Sequence, residues 1–440
     1  MERRTFLKIL SSAGIVSLVS PTFAMEVCKN KVSKSSSALL ESAFRNPPFS
    51  SGVYTWWHWM NGNITKDGIT RDLEAMKANG IAGYQLFEAG SGIPIGPVES
   101  LSDEWVDLIL HTLKESERLG LEFAMHNCPG WSSSGGPWIT PDKAMQIITW
   151  SETKITGGKQ VRIQLPTPKH MFDYYIDTYC LAIPANMKVI PRLSILELSN
   201  RLDKDGVLTW DVPTGEWLIM RFGQTAKDQK NKSAPSKSTG LDCDKFSTEA
   251  LDYHLNCMFK RLMPTMEKIA KHSKIGLLID SYETGDQDWT SDMPVYFEQS
   301  HGYELYPFLP VLANKIVESE ESTKRFLFDF RRVRADMFAE RYYGHFQKRC
   351  KEKGIITYTE PYGGNMMEEL QVAQQLDINM GEFWCGQTVL WANYKYNRTV
   401  KQVASIAHTL GGKVVGAEAF TSEPDADKWL QYCLLYTSPS

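Results

Sequence analysis

With 440 residues, 42% of them hydrophobic and 23% charged, the chain has the composition of a globular protein, and at roughly 150 residues per domain it has room for two or three domains. A net charge of −4 excludes nucleic acid as the main partner, because a phosphate-binding face needs a basic excess. Thirteen Trp and 18 Tyr suit either a packed core or a weakly charged partner such as carbohydrate, whose C–H faces lie well on flat aromatic rings.

Arg3-Arg4-Thr5-Phe6-Leu7-Lys8, an apolar stretch from Ile9 to Val19 and then Pro21-Thr22-Phe23-Ala24 give residues 1–24 the order of an export signal, with paired arginines as in the twin-arginine type. The apolar stretch is too short to span a bilayer. The mature chain is therefore expected to be exported, periplasmic or extracellular, with no membrane span. Residues 25–48, rich in Ser and Lys, read as a flexible leader. Eight cysteines without repeated spacing read as mostly free, buried thiols rather than a disulfide framework.

Residues 49–150 begin a repeating unit of amphipathic helix, Gly, short apolar run and polar residues. Tyr54 to Trp59 is the opening strand. Ile69, Leu73 and Met76 share one helical face, and Asn79-Gly80 ends that helix before a strand from Ile81 to Phe87 that reaches Glu88. Ser102 caps the next helix, with Asp103 and Glu104 in its first turn. The strand Leu121 to Met125 then delivers His126 and Asn127. Residues 151–240 break the pattern with short alternating runs between Pro and Gly turns, the mark of a β-rich insertion, and residues 227–239 form its exit loop.

In residues 241–430 the unit returns. Strands end at Asp280-Ser281-Tyr282-Glu283, at Glu360, at Glu382 and, after Lys413 to Gly416, at Glu418. Near-continuous apolar strands alternating with helices imply parallel pairing with helices outside. Seven such strands with polar ends point to a (β/α)8 TIM-type barrel, incomplete at its C-terminus. A doubly wound sheet is the rival, but no Gly-rich phosphate loop follows the first strand. Residues 431–440 read as a non-native tail.

Functional groups on a barrel gather at the C-terminal strand ends. Trp57, His58, Trp59 and Asn61, together with His126, Asn127 and Trp131 of a Gly/Ser-rich loop, supply the stacking and hydrogen-bonding groups of a sugar site. Glycoside hydrolysis needs two carboxyl groups, and Glu88, Glu283, Glu360, Glu382 and Glu418 are the strand-end candidates. Partial burial would suit whichever of them donates the proton, whereas its partner would need a more polar setting to stay ionised. Neither HExxH nor Gly-x-Ser-x-Gly occurs. Asp280, Asp286 and Asp288 have spacing that could hold Ca²⁺, although a solvated acidic loop is the plainer reading. A sugar-binding barrel without catalysis is the alternative class of function.

Trp56-Trp57-His58-Trp59-Met60-Asn61-Gly62-Asn63-Ile64-Thr65, with Asp72-Leu73-Glu74-Ala75-Met76 and Gly80-Ile81, resembles glycoside hydrolase family 106. So do the string from His126-Asn127-Cys128-Pro129-Gly130-Trp131 to Gly135-Gly136-Pro137-Trp138-Ile139, and Asp280-Ser281-Tyr282-Glu283. The resemblance runs from about Ser50 to Phe420. It implies an inverting α-L-rhamnosidase acting on rhamnose-containing carbohydrate of plant type, with a large barrel, appended β-sandwich domains and calcium in the active site. It also implies Glu283 as general acid, Glu418 as general base and Glu382 as a group holding the water; the calcium ligands stay open. A glycosidase of another specificity remains an alternative.

Overall fold

The computed structural model describes residues 34–131, 134–384, 390–412 and 414–421, so the expected export signal and the 431–440 tail lie outside the described residues. The strands are β1 (Val53–Met60), β2 (Ile81–Ala89) and β3 (Glu122–His126), then β4 (Gln146–Thr156), β5 (Lys159–Gln164), β6 (Ile176–Pro184), β7 (Val207–Val212) and β8 (Glu216–Ala226), and finally β9 (Ile275–Ile279), β10 (Ile356–Thr359), β11 (Ile378–Trp384) and β12 (Gly416–Thr421). The main helices are α1 (Lys34–Arg45), α2 (Lys66–Ala78), α3 (Asp103–Leu119), α4 (Thr248–Phe259), α5 (Met263–Ala270), α6 (Glu320–Met337), α7 (His345–Lys351) and α8 (Leu390–Leu410).

Local chemistry sets the helix ends. The Thr65 hydroxyl accepts from Gly68 N at the start of α2, and the Ser102 hydroxyl accepts from Trp105 N at the start of α3. Helix α3 stops at Gly120, whose φ of 65° is left-handed, a conformation that costs glycine nothing. A π-helical stretch, Phe338–Gly344, joins α6 to α7 and turns Tyr342 and Tyr343 into the core.

Seven strands pair in chain order, β1-β2-β3-β9-β10-β11-β12, and every pairing is parallel. Their outer faces pack on the helices: Tyr84, Leu86, Phe123, Met125, Leu277 and Ile279 share one core with Leu73, Ile109, Leu113 and Met266. Their inner faces make a separate small core of Ala124, Leu278, Tyr358 and Met380, with Trp56, Ile356 and Ile378 against it. An apolar core on both faces is what near-continuous hydrophobic strands require. Residues of β1 and β12 line the same two cavities, so the sheet curls until its first and last strands face each other. Among the described residues no strand bridges them. The fold is thus mixed α/β around a curled parallel sheet. No helix of the described residues is long and apolar enough to cross a membrane.

Between β3 and β9 lies an antiparallel sheet in which β8 pairs with both β4 and β6, while β5 pairs with β7. Leu165, Cys180, Ala182, Leu208, Trp210, Val212 and Ile219 form its own core. It begins at Gln146, five residues before the expected boundary, and its long strands end at Ala226. Three expectations need correction. Residues 34–45 form helix α1, with Leu39, Leu40 and Phe44 exposed, where a flexible leader was expected. The last strand starts at Gly416 and runs on to Thr421, where a run from Lys413 ending at Glu418 was expected, because pairing with β11, Glu382 opposite Glu418, sets its register. Residues 227–240 are not a free exit loop but are tied to the loop after β3. The five described cysteines are free thiols, and all but Cys257 are buried.

Candidate active site

Alternation along the strands builds the site in layers, since residues two apart share a face. Two residues beyond the inner apolar layer of Ala124, Leu278, Tyr358 and Met380 stand His126, Asp280, Glu360 and Glu382. On β12 the same step leads from Gly416 to Glu418. A cavity of about 1120 Å³ opens above this second layer, lined by Trp56, His58, Phe87, Trp131, Asp280, Ser281, Glu283, Glu382, Glu418 and Phe420, among others. Its wall is aromatic: Trp56 meets Phe87 edge-on at 4.9 Å and His126 at 5.3 Å, His58 meets Phe87 at 4.1 Å, and Trp131 meets Phe87 at 6.1 Å. Burial holds the His58 imidazole below its usual range.

The same alternation takes other expected site residues away. In the β1–β2 register Trp57 lies opposite Leu86, and Trp59 opposite Glu88, while His58 lies opposite Phe87. Trp57 and Trp59 therefore point at the helices. The Trp57 indole donates to Asp72 (3.1 Å), and Trp59 packs edge-on against Trp105 at 6.5 Å. Glu88 shares that outer face, buried, accepting from Ser100 Oγ (2.7 Å) and Trp105 Nε1 (2.8 Å). Asn61, at φ 50°, spends its amide on the Ile93 carbonyl. Asn127 is buried, donating to Leu278 O and accepting from Ser134 Oγ. These five residues shape the frame rather than the cavity wall. Trp56, Phe87, Asp280 and Phe420 line it in their place.

Three carboxyl groups crowd together. Ligand oxygens of Asp280, Glu360 and Glu418 lie within 4.8 Å of one another. Asp280 Oδ2 meets His126 Nε2 at 2.9 Å, and Asp280 Oδ1 accepts from Ser281 N. Glu360 is wholly buried; the Tyr362 hydroxyl donates to one oxygen (2.6 Å), and the other finds no donor. Burial, then the charges of Asp280 and Glu418, push Glu360 well above the carboxylate range. Burial, then Asp280, Glu382 and Glu283, push Glu418 up to about 8, against a hydrogen bond from Thr421 Oγ1 (2.7 Å). Among the described residues no lysine or arginine forms an ion pair with these three carboxyls. Such crowding needs either protons or a cation, and an all-oxygen donor set with an unsatisfied buried oxygen fits a hard divalent ion such as calcium. Asp286 and Asp288 do not join it: Asp288 accepts instead from Ile148 N, at the start of the antiparallel sheet.

Glu283 sits apart from this cluster, three residues beyond Asp280 and about a third exposed. Its Oε2 accepts from Trp131 Nε1 (3.2 Å) and lies 3.5 Å from Lys232 Nζ, with its side chain 38% exposed. Trp289 is in the core, and the Tyr282 hydroxyl goes to Gly285 O. The ring beside Glu283 is therefore Trp131, and the more deeply buried carboxyl is Glu418, the reverse of the expected ordering. Glu382 is held from behind: Thr399 Oγ1 of α8 accepts from its N–H and donates to its carbonyl, each at 3.0 Å. A register shift in β11 directly follows it, and Phe420 opposite holds a left-handed φ of 62°. Irregularities of this kind re-aim side chains beside functional sites.

Comparison with known proteins agrees with this architecture. Over residues 45–175 and 169–434 the chain matches the glycoside hydrolase 106 family, described as alpha-L-rhamnosidase. It is 41% identical over 413 residues to a protein of Formosa agariphila named "Putative beta-glucuronidase", covering 87% of this chain and 35% of that one. The solved structure of a rhamnosidase from Novosphingobium sp. PP1Y superposes with a TM-score of 0.77 at 24% identity, over 89% of this chain and 54% of that one. The chain thus spans about a third to a half of the length of these proteins. The matched span covers the curled sheet, the antiparallel sheet and the carboxyl cluster alike, and the chain belongs to glycoside hydrolase family 106, the alpha-L-rhamnosidase family.

Proposed function

We propose that the parallel strands are the greater part of a (β/α)8 barrel carrying the antiparallel sheet as a β-rich insertion, and that its mouth hydrolyses α-L-rhamnosidic bonds of plant-type poly- or oligosaccharides with inversion. One observation carries this reading: Asp280, Glu283, Glu382 and Glu418 converge from three strand ends on one aromatic-walled cavity, and buried Glu360, from a fourth, joins Asp280 and Glu418 in one cluster. Binding alone would not need so many carboxyls together, because each one buried costs desolvation.

Glu283, accessible and oriented by the Trp131 indole, donates a proton to the leaving oxygen. Glu418 accepts a proton from the attacking water, with Glu382 beside it to hold that water. Trp56, Phe87 and Trp131 offer faces for the sugar ring, and His58 a hydrogen bond. Asp280, Glu360 and Glu418 would hold calcium, whose charge would offset the mutual repulsion of these carboxyls. Export through the paired Arg3-Arg4 signal belongs to the same reading. A second reading, a glucuronide as substrate, rests on the name of the Formosa relative.

The test is leaving-group dependence. Glu283→Gln should slow substrates with poor leaving groups at least about a hundredfold, the scale of general acid catalysis, while aryl rhamnosides with good leaving groups lose far less. Glu418→Gln should slow both kinds alike. Equal losses in Glu283→Gln would remove it from the acid role.

A further inference from the structure

We propose that Lys245 is a positioning residue for the proton donor, acting through Ser134 to hold the loop that aims the Trp131 indole at Glu283. The proposal rests on Glu283 as general acid in the reading above and adds to it a residue behind the cavity wall. In sequence Lys245 is one more charge in the run Asp242-Cys243-Asp244-Lys245. In the fold its side chain is wholly buried.

A close backbone approach brings it there. Gly135 and Gly136 pair antiparallel with Asp242 and Leu241, and a Cβ on Gly135 would lie 2.7 Å from Leu241 O, so the pairing needs glycine. Asp242 thereby comes beside Ser134, and Lys245, three residues on, turns its ammonium back onto both. Lys245 Nζ donates to Asp242 Oδ1 and to Ser134 O (3.1 Å), and lies 4.9 Å from the centre of the Tyr342 ring. Every polar group of Ser134 is engaged. Its N–H donates to Asp242 Oδ1 (3.3 Å), its carbonyl also accepts from Cys243 N (2.8 Å), and its hydroxyl donates to Asn127 Oδ1 (2.6 Å). With that one proton given away, Ser134 Oγ accepts from the Tyr342 hydroxyl (2.5 Å). The π-helical stretch, a form frequent at functional sites, turns this tyrosine inward.

Both ends of the loop from Asn127 to Ser134 are thus locked. Asn127 Nδ2 donates to Leu278 O (3.0 Å), and Asn127 O accepts from His254 Nε2 (2.8 Å), whose Nδ1 accepts from Trp138 Nε1 (3.3 Å). The Ser134 hydroxyl ties the two ends to each other. Between them Trp131 N donates to Lys232 O (3.3 Å), and the Trp131 indole donates to Glu283 Oε2 (3.2 Å). The Lys245 and Asp242 side chains are 0% exposed, and desolvating two charges offsets most of their attraction. The pair is therefore a poor stabiliser but a strict one in direction, since it grips Ser134 by its N–H and its carbonyl together. A misplacement of about 1 Å at a reacting group can cost on the order of a hundredfold in rate, and Trp131 passes any shift of this loop to the acid.

The experiment measures kcat, KM and Tm of the full chain, with an alkyl α-L-rhamnoside as the poor leaving group and an aryl one as the good. Lys245→Met leaves Asp242 a lone buried charge and should lower Tm. Lys245→Met with Asp242→Asn removes both charges, keeps an acceptor for Ser134 N, and should recover most of that loss. In this paired variant kcat on the alkyl substrate should still fall about tenfold or more, while KM and the aryl rate change less than about threefold. Trp131→Phe should show the same split, and combining it with the paired variant should add little, since both act on one contact. Tyr342→Phe, which removes only a hydroxyl from Ser134, should show the split more weakly in a stably folded chain. Wild-type kcat in the paired variant, equal losses on both substrates, or losses that multiply with those of Trp131→Phe overturn the proposal. If the paired variant does not fold, wild-type rates in Tyr342→Phe overturn it. Equal losses on both substrates in Glu283→Gln overturn instead the acid role on which it stands.

Discussion

Replacing Glu88 by Gln should change how stability depends on pH and leave the cavity intact. Glu88 is buried beneath β2, and its two donors, Ser100 and Trp105, do not make up for lost water, so burial pushes it up to about 7 from an ordinary 4.5. Native Glu88 therefore keeps its proton between those values while the unfolded chain loses it. Its contribution is fully present below pH 4.5 and is lost as pH rises through 7, because the native state binds the extra proton. At about 1.36 kcal/mol per pH unit, that window removes on the order of 3 kcal/mol by pH 8. Gln has no charge to desolvate, can accept from Trp105 Nε1 through Oε1, and can donate to Ser100 Oγ through Nε2. Urea unfolding of wild type and Glu88→Gln, followed by tryptophan fluorescence at pH 5, 6, 7 and 8, should show near-equal stability at pH 5. The variant should gain steadily above it, the difference cancelling groups common to both. A difference flat with pH would refute the buried, protonated Glu88, and lost turnover without lost stability would return Glu88 to the sugar site.

Other outcomes separate frame from wall. Trp59→Ala should cost about 3–5 kcal/mol in denaturant unfolding, the loss typical of a buried large aromatic, whereas Trp56→Ala should spare most stability and raise KM about tenfold. Gly130→Ala must place a methyl group on Lys232 O from a φ of 77°; about 1–3 kcal/mol of strain should appear as a lowered Tm together with a fall in turnover. Calcium at a hundred times its Kd should stabilise the chelator-treated protein by about 2.7 kcal/mol, read as a rise in Tm that Glu360→Ala abolishes. An equal rise in that variant would remove Glu360 from the ion's ligands.

Strand positions were legible because parallel strands buried on both faces write continuous apolar runs, and each run here ends in polar residues that the fold gathers at one rim. That same burial hides parity. Ile81 to Phe87 is buried nearly throughout, and its one strongly polar residue, Gln85, shares the face of Phe87, so nothing local says that Phe87 points in and Glu88 out. Trp56-Trp57-His58-Trp59 has aromatic rings on both faces, and only the pairing of His58 with Phe87 divides them. Asp280 looked like part of an acidic loop with Asp286 and Asp288, because contacts to Glu360 and Glu418 come from strands 80 and 138 residues away in sequence. The role of residues 227–240 was illegible for a similar reason: a polar, Pro-containing segment reads as a connection until the Asn231 hydrogen bonds fix it to Pro129. A period-2 count from the inner layer of Ala124, Leu278, Tyr358 and Met380 would have found His126, Asp280, Glu360 and Glu382 together.

The central claim is that Glu283 and Glu418 work as acid and base across a water, with carboxyl groups about 6.5–9.5 Å apart rather than the roughly 5–5.5 Å of a nucleophile and its acid. Proton NMR of the first sugar released from an α-L-rhamnoside tests this most directly, before mutarotation mixes the anomers. The account predicts β-L-rhamnose as the initial product. Initial α-L-rhamnose would mean a covalent intermediate and contradict it.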